Sequence, residues 1–226
     1  MTTRTSLADI TPIEPVDIAL TVANRLRDML AKGRFTPGEQ ITEPSIAAAF
    51  RVGRGPVREA LKRLTEQGLL VSERNRGVFV PVLSIADVED IYRLRGAIEL
   101  AALTYHVQNP DPQVFARLWG ILEKYRENLA VHDWESADEW DMAFHRELVH
   151  SSGSRRLIQA FDTVSVETRM CLRALVFHHP DHPDMEVWHA NILRAAEKGD
   201  LPAAQEALEF HNSTVIADVK RSSESR

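Results

Sequence analysis

The stretch FRVGRGPVREALKRLTEQGLL, residues 50–70, decides the fold of the N-terminal third of this 226-residue chain. Gly53 is expected to permit a sharp turn between two short helical segments. The segment after that turn carries apolar side chains at the spacing of one helix face: Val57, Ala60, Leu61 and Leu64. Gly68 then ends the helix. The stretch is therefore typical of a helix-turn-helix.

The flanking segments extend this unit to residues 15–80. Upstream, apolar residues at helical spacing predict a first helix that ends at Gly33: Val16, Leu20, Ala23, Leu26 and Leu30. Thr42 is predicted to cap the second helix, with Pro44 in its first turn. Downstream, LLVSE and GVFVPV are two extended runs around RNR at 74–76, which predicts a β-hairpin. Three helices and a hairpin make a winged helix-turn-helix, preceded by a flexible tail at residues 1–14.

The third helix and the hairpin carry the candidate DNA-reading residues. Arg54 and Arg58 are four residues apart, so they share one face at the N-terminal end of the helix. That end of a recognition helix meets base edges and phosphates, and arginine binds guanine or phosphate with two donors. At the hairpin tip, the glycine is expected to let the backbone approach DNA closely. The full candidate DNA-binding set is Arg54, Gly55, Pro56, Arg58, Arg74, Arg76 and Gly77.

This part of the sequence resembles the winged helix of GntR-type transcriptional regulators, whose usual string is Val-Ser-Arg-Thr-Pro-Val-Arg-Glu-Ala-Leu. Residues 52–61 match that string except at two positions, where Gly53 replaces serine and Gly55 replaces threonine. Both departures remove hydroxyl groups that in the family cap the helix or touch phosphate. The resemblance implies that double-stranded operator DNA is a partner.

The charge distribution predicts two domains. Residues 1–82 hold 12 Lys and Arg against 9 Asp and Glu, whereas residues 83–226 hold 15 against 24 and contain all nine histidines. We expect a linker at residues 81–86. The N-terminus lacks the apolar core of a secretion signal, and the sequence lacks an apolar run long enough to span a membrane. With Cys171 as the single cysteine, these features predict a cytoplasmic protein.

Residues 87–220 are predicted to be helical, with breaks at clusters of Pro, Gly, Ser and Asn. The breaks separate six helices at about 87–107, 112–130, 134–150, 154–177, 183–198 and 201–219. We therefore predict a mainly α fold, in which the winged helix-turn-helix is followed by an antiparallel bundle of six to seven helices.

Four side chains of this bundle are predicted to converge on one metal ion. Asp141 and His145 are one helical turn apart and can bind the same cation. His189 and His211 are equally far from Asp200, at the break between two antiparallel helices, so they should lie level with each other. Three imidazoles and one carboxylate suit zinc, with nickel or manganese as alternatives.

The string Asp-Met-Ala-Phe-His at 141–145, followed by His189 and His211, resembles the effector domain of the FadR subgroup of GntR regulators. The resemblance implies an all-helical domain that holds a metal with one Asp and three His ligands. It also makes Arg95 an anchor for the carboxylate of a small organic-acid effector, although Arg95 and Glu99 could instead form an ordinary i, i+4 salt bridge. Further candidates for effector binding are Arg169 and Arg173.

The predicted function is that of a homodimeric transcriptional regulator whose operator affinity changes when a small carboxylate binds at the metal site. The rival interpretation is a metal-dependent hydrolase or lyase fused to a DNA-binding head, and a metal that only stabilises the bundle is a third. Catalytic zinc usually has three protein ligands and an open position, whereas four ligands are offered here. The His-Glu-x-x-His arrangement of metalloproteases is also absent from the sequence. Both points favour regulation over catalysis.

Overall fold

The computed structural model describes residues 17–175 and 185–224, and its N-terminal part is the predicted winged helix-turn-helix. Its elements are α1 (Ile18–Ala31), β1 (Gln40–Ile41), α2 (Glu43–Phe50), α3 (Arg54–Glu66), β2 (Val71–Glu73) and β3 (Gly77–Phe79). The three strands form one antiparallel sheet in the order β1-β3-β2. Val78 of the central strand β3 pairs with Ile41 of β1 on one side and with Ser72 of β2 on the other.

In this unit α1 and α2 begin at side-chain caps, and the apolar faces that the sequence predicts for α1 and α3 are buried with one exception. Thr42 caps α2 by accepting a hydrogen bond from the Ser45 amide, and Pro44 lies in the first turn. All four predicted apolar residues of α3 are buried. The exception is in α1, where Leu20 is 45% exposed. At 100° per residue, Leu20 points about 120° away from the buried Leu26, so it lies beside the buried face.

The turn between α2 and α3 differs from the prediction. Gly53 has φ −69° and ψ 156°, an extended conformation that any residue adopts. The left-handed conformation falls on Arg51, with φ 55°, at the C-terminal end of α2. The prediction that Gly53 permits the sharp turn is therefore wrong, because the unusual backbone angle is two residues earlier.

The C-terminal part is the predicted helical bundle. Its elements are α4 (Ile85–Gln108), α5 (Pro112–Ala130), α6 (Trp134–His150), α7 (Arg155–Leu175), α8 (Met185–Glu197) and α9 (Leu201–Glu224). The mainly α fold is thus confirmed. α4 begins two residues before the predicted start, because Ser84 and Asp87 form a capping box. The predicted tail, Val16 and the predicted helix ends at 176–177 and 183–184 lie outside the described residues.

The bundle is organised around α4, which packs against α6, α7, α8 and α9. The winged helix does not form a separate core, because Val166 and Met170 of α7 lie in the same buried cluster as Leu26 and Leu64. The two parts of the chain are therefore joined by shared apolar packing through α7. Within the described ranges, no helix has both the length and the apolar character that a membrane crossing requires.

Candidate functional site

The N-terminal end of α3 presents the predicted DNA-reading arginines to solvent. Arg54 is exposed in the first turn, and the side chain of Arg58, one turn later, is 71% exposed. Gly53 is the N-cap, and it contributes no side-chain hydrogen bond. The serine of the usual GntR string would offer a capping hydroxyl at this position, and glycine offers none. The extended backbone at Gly53 would suit a serine N-cap. Around Gly55, a Cβ atom would meet nothing within 4 Å.

Arg58 already has a partner, which the sequence analysis missed. Its Nε donates to Glu43 Oε1 at 2.7 Å, and its Nη2 donates to Glu43 Oε2 at 2.9 Å. The hydrogen bond from Arg58 lowers the pKa of Glu43, so the carboxylate stays charged in the first turn of α2. Exposed ion pairs of this kind contribute little to stability, and a phosphate or a base can replace the carboxylate. No sequence signal pointed to this pair, because its members are 15 residues apart on different helices.

The hairpin tip places Arg74 and Arg76 in solvent, as predicted. The backbone turns through Asn75, with φ 61°, and Gly77, with φ 114°. A Cβ atom on Gly77 would lie 2.8 Å from Gln40 Nε2, which donates to the carbonyl of Arg76. The turn itself therefore requires Gly77, on account of its backbone angle and the side chain packed over it. Whether its backbone also approaches DNA remains a prediction.

The structure brings the four predicted metal ligands together inside the bundle, from three helices. Asp141 and His145 lie on α6, His189 on α8 and His211 on α9. The three histidines are buried, and each offers a ligand atom within 4.8 Å of the others. His189 Nε2 is 3.0 Å from Asp141 Oδ1 and 3.1 Å from His145 Nε2. The ring centroids of His189 and His211 are 4.5 Å apart, as the symmetry of the hairpin about Asp200 predicts.

These separations fit a divalent ion. Ligand atoms that each lie about 2.1 Å from a tetrahedral zinc ion are roughly 3.4 Å from one another. The distances from His189 Nε2 are slightly shorter than this value, and the 3.9 Å from His145 Nε2 to Asp141 Oδ1 is slightly longer. The donor set of imidazole nitrogens and a carboxylate oxygen is also one that zinc prefers. The three buried histidines can therefore form a metal site.

The electrostatics give the cluster the protonation state that metal binding needs. Burial lowers the pKa of His145, and burial together with the neighbouring histidines lowers the pKa of His211 well below its usual range. Burial raises the pKa of Asp141, but the hydrogen bond from His189 and the neighbouring positive charges, Arg95 among them, together keep this pKa below its usual value. At neutral pH the cluster thus offers the uncharged imidazoles of His145 and His211 beside an ionised carboxylate.

The three candidate effector arginines lie in different surroundings. Arg95 is 1% exposed and Glu99 is fully buried, and Arg95 Nε donates to Glu99 Oε1 at 2.8 Å. The salt-bridge alternative for Arg95 is therefore present, but in the interior. Arg95 Nη2 and Arg169 Nη2 are both buried, and neither has a hydrogen-bond partner in the described part of the chain. Arg173 is exposed, and it lies against Gly33 at the end of α1 rather than at the histidine cluster.

Two residues beside the histidine cluster, Glu99 and Tyr125, were not connected with the metal site by the sequence analysis. Glu99 Oε1 lies 3.0 Å from His145 Nδ1, on the side of the ring opposite the cluster. The Tyr125 ring packs edge-on against His189 with centroids 5.4 Å apart, and the Tyr125 hydroxyl is buried without a partner among residues 17–175 and 185–224. Glu99 is four residues from Arg95, so the sequence indicated that it shares a helix face with a candidate effector residue. No feature of the sequence pointed to Tyr125.

Comparison with known families decides what kind of protein this is. Residues 18–80 match the family described as "Bacterial regulatory proteins, gntR family", and residues 90–214 match the family described as "FCD domain". The chain belongs to the GntR family. The HTH-type transcriptional regulator YdhC of Bacillus subtilis is 29% identical to this GntR protein over an alignment of 205 positions, which covers 88% of this chain and 89% of YdhC.

Further relatives support the same assignment. An HTH-type transcriptional regulator in an unstable DNA locus of Streptomyces ambofaciens is 32% identical over 201 residues, covering 87% of this chain and 83% of that protein. The crystal structure of a GntR transcriptional regulator from Rhodococcus sp. RHA1 matches with a TM-score of 0.75 and 30% identity, covering 90% of this chain and 98% of that one. The Escherichia coli protein McbR has the same fold, with a TM-score of 0.80, 24% identity and coverage of 92% and 99%.

The family assignment confirms the predicted class of function. GntR regulators bind DNA through the winged helix, and the FCD domain is an effector-binding domain. Because the relatives are transcriptional regulators, the hydrolase or lyase alternative has no support, and the protein is not an enzyme. FCD domains bind metals in some members of the family, which agrees with the buried histidines in this GntR protein.

Proposed function

We propose that this GntR regulator belongs to the FadR subgroup, acts as a homodimer and changes its operator affinity when a small organic acid binds at a metal centre. The observation that carries the proposal is the buried cluster on α6, α8 and α9. We assign the DNA-binding domain to residues 15–80, the linker to residues 81–86, of which the last two already lie in the first turn of α4, and the effector domain to residues 87–220. Because operator DNA is its partner, we place the protein in the cytoplasm.

The metal centre is assigned to Asp141, His145, His189 and His211. Zinc is the ion we favour, because three imidazoles and a carboxylate at these separations suit its tetrahedral preference, and nickel and manganese are the alternatives. When bound, the ion would supply a Lewis-acidic position for a carboxylate oxygen of the effector by expanding its coordination from four ligands to five. His145 on α6 and His189 on α8 would orient this position, and burial excludes competing water.

The effector is assigned to the class of small carboxylates. A buried guanidinium nitrogen without a hydrogen-bond acceptor is costly, and a carboxylate is the acceptor that matches its geometry. Arg95 Nη2 and Arg169 Nη2 are two such nitrogens in the effector domain. We therefore assign carboxylate binding to Arg95, with Arg169 as a second contact. Arg173 receives no part in this proposal, because it lies on the winged-helix side.

Operator recognition is assigned to the exposed end of α3 and to the hairpin tip. The contributing residues are Arg54, Gly55, Pro56, Arg58, Arg74, Arg76 and Gly77. The arginines among them are exposed and lie on two adjacent elements, which suits one helix in the major groove and a wing beside it. Arg54 and Arg58 are expected to contact base edges, since they lie nearest the N-terminal end of the recognition helix.

A homodimer is favoured by the outer face of α4. Four exposed apolar or small residues recur there at helical spacing: Leu94, Ala97, Ala101 and Tyr105. Small residues at the centre of such a stripe let a second helix approach closely, and a two-fold operator requires two winged helices. Light scattering is expected to show a dimer for the wild type and a monomer for Ala97→Arg, because a two-fold interface would bring two added charges together. A monomeric wild type would contradict the homodimer.

Coupling between effector and DNA is assigned to α7. This helix carries Arg169. Its nearby residues Val166 and Met170 pack in the core of the winged helix. An effector that favours one position of α7 therefore shifts the population of winged-helix arrangements. A tenfold change in operator affinity requires only about 1.4 kcal/mol of such coupling.

The metal assignment is tested by elemental analysis of the purified full-length protein. We expect close to one divalent ion per chain in the wild type and most of that ion lost in His189→Ala. The matched control is His150→Ala, because His150 is a half-buried histidine of α6 that contacts Asp162 instead of the cluster. Full metal content in His189→Ala, or equal loss in both variants, would overturn the assigned centre.

The effector assignment is tested by titration calorimetry with small mono- and dicarboxylates. Wild-type protein, Arg95→Lys and metal-stripped wild type are compared, since lysine keeps the charge but not the planar fork of donors. We expect binding of at least one acid by the wild type and weaker binding by the other two. Unchanged affinity in both would place the effector elsewhere. Metal-loaded protein that binds no acid would indicate a metal that only stabilises the bundle.

A further inference from the structure

A buried carboxylate outside the predicted ligand set contacts the cluster. Glu99 lies on α4, and its Oε1 is 3.0 Å from His145 Nδ1 and 2.8 Å from Arg95 Nε. The other ring nitrogen of His145, Nε2, faces His189 Nε2 at 3.1 Å. The two nitrogens of one imidazole therefore have different surroundings. One meets a carboxylate and the other meets the proposed metal position.

We propose that Glu99 is a positioning residue of the metal centre, which fixes His145 with its proton on Nδ1 and its lone pair on Nε2. This inference rests on the metal centre proposed above. A neutral imidazole has one donor nitrogen and one acceptor nitrogen, and an ionised carboxylate can only accept. Glu99 therefore selects the Nδ1–H tautomer, and Nε2 is left as the ligand atom. Completing the hydrogen bond across the 3.0 Å contact would also hold the ring with Nε2 toward His189.

Arg95 keeps Glu99 in the required charged state. Burial raises the pKa of Glu99, but its hydrogen-bonding and charged surroundings, Arg95 foremost, hold it below its usual range. Arg95 Nε donates a hydrogen bond to Oε1, and His145 Nδ1 lies 3.0 Å from the same oxygen without completing a hydrogen bond, so neither Nδ1 nor Oε2 has a hydrogen-bond partner within the described residues. The two contacts form one buried chain from α4 to α6. Arg95 thus has a structural contact through Nε, and its Nη2 is left for the effector.

Glu99 also changes the charge of the site. A divalent ion with Asp141 carries a net charge of +1, and the buried guanidinium of Arg95 raises it to +2. Glu99 returns the total to +1, so a single carboxylate group is enough to neutralise the loaded site. Buried charge without compensation is costly, so this count favours effectors that bring one carboxylate to the metal.

The competing explanation is that Glu99, held by Arg95 on the same helix, only joins α4 to α6 through its contact with His145. Three variants separate the two explanations. Glu99→Gln keeps an oxygen acceptor for His145 and removes the charge. Glu99→Leu removes both, and the double variant Arg95→Met with Glu99→Leu replaces the whole buried pair by apolar side chains of similar size, a change that buried pairs often tolerate. The matched control is Glu147→Gln, because Glu147 pairs with Arg117 on the outer side of α6.

The first measurement needs no metal. Histidine side-chain ¹⁵N spectra of the full-length, metal-free protein report the tautomer of each ring. We expect His145 to be protonated at Nδ1 in the wild type and in Glu147→Gln, and to show mixed tautomers in Glu99→Leu. An Nε2-protonated His145 in the wild type, or an unchanged spectrum in Glu99→Leu, would overturn the role of Glu99 whether or not a metal binds.

The second measurement is the zinc dissociation constant, obtained by competition with a chelator, alongside the thermal midpoint of the metal-free protein. Loss of an outer partner of a metal-bound histidine weakens affinity by about 10- to 100-fold. We expect this weakening in Glu99→Gln and in the double variant, even where the double variant melts like the wild type. Wild-type zinc affinity in a folded double variant would show that the pair is only structural. A wild type that binds no divalent ion would instead overturn the proposed centre itself.

Discussion

The winged helix and the helical domain each contain an arginine–glutamate pair, made through two hydrogen bonds in the first and through one in the second. The shortest contact is 2.7 Å between Arg58 and Glu43 and 2.8 Å between Arg95 and Glu99. The exposed fractions of the side chains differ completely, at 71% and 30% for the first pair and 1% and 0% for the second. In water an arginine can exchange its carboxylate for a phosphate or a base at little cost. In the interior it cannot, because a charge left without its partner is strongly destabilising. Solvent access therefore separates an arginine that can exchange its carboxylate from one that must keep it, and Arg95 has only Nη2 left for a ligand.

The largest expected effect tests this difference through stability. Arg95→Ala should lower the free energy of unfolding by about 3–5 kcal/mol, because Glu99 is left buried without its guanidinium partner. Arg58→Ala should leave the urea midpoint unchanged within error. Chemical unfolding of the two variants, followed by circular dichroism, gives both values. A small loss for Arg95→Ala would mean that water or rearrangement compensates Glu99, and the contrast between the pairs would fail.

The second expected effect is a loss of stability in acid that belongs to the helical domain alone. Burial lowers the pKa of His145 and of His211 in the fold, so below about pH 6.5 the unfolded chain takes up protons that the native protein does not. Metal-free protein should therefore lose stability as the pH falls from 7 to 5, by up to about 1.4 kcal/mol per pH unit for each such histidine. Thermal melting across this range measures the slope.

Two matched variants identify the histidines that cause this dependence of stability on pH. His211→Gln should reduce the dependence on pH, since glutamine does not titrate, whereas His150→Gln should keep it. His150 is the control because it is half-buried beside Asp162 and lies outside the cluster. The same slope in all three proteins would assign the acid sensitivity to other groups. The winged helix contributes no histidine to it, since all nine lie from position 106 onward.

The third expected effect concerns DNA. Arg54→Ala and Arg58→Ala should each weaken operator binding by about 5- to 150-fold, and weaken binding to random DNA less, if these side chains contact bases. Arg93→Ala is the matched control, because it removes an arginine of the helical domain that is 76% exposed. Fluorescence anisotropy with both DNAs at one fixed salt concentration makes the comparison. Equal losses on the two DNAs would restrict the arginines to backbone contacts.

The same contrast explains what the sequence could predict. Spacing along one helix predicted the buried face of α3, and symmetry about Asp200 predicted that His189 and His211 meet. Both are local rules of helix geometry. Spacing also placed Arg95 and Glu99 on one face of α4, but it could not say that this face is the inner one. The Arg58–Glu43 pair could not be predicted from the sequence for another reason. Its residues belong to different helices, and only the packing of the winged helix brings them together.

The smallest expected effect comes from Glu43→Gln, which keeps an acceptor oxygen for Arg58 but removes its charge. The thermal midpoint should stay within error of the wild type, since the pair is exposed and contributes little to stability. Glu43 is the acidic side chain nearest the guanidinium of Arg58, and its removal should raise affinity for random DNA by less than about tenfold, most clearly at low salt. Operator preference over random DNA should therefore fall, because Arg58 loses the partner that holds its side chain in one orientation. Anisotropy titrations at two salt concentrations measure both affinities. A drop of several degrees in the midpoint would place Glu43 with the buried pair, as a residue that holds the fold together.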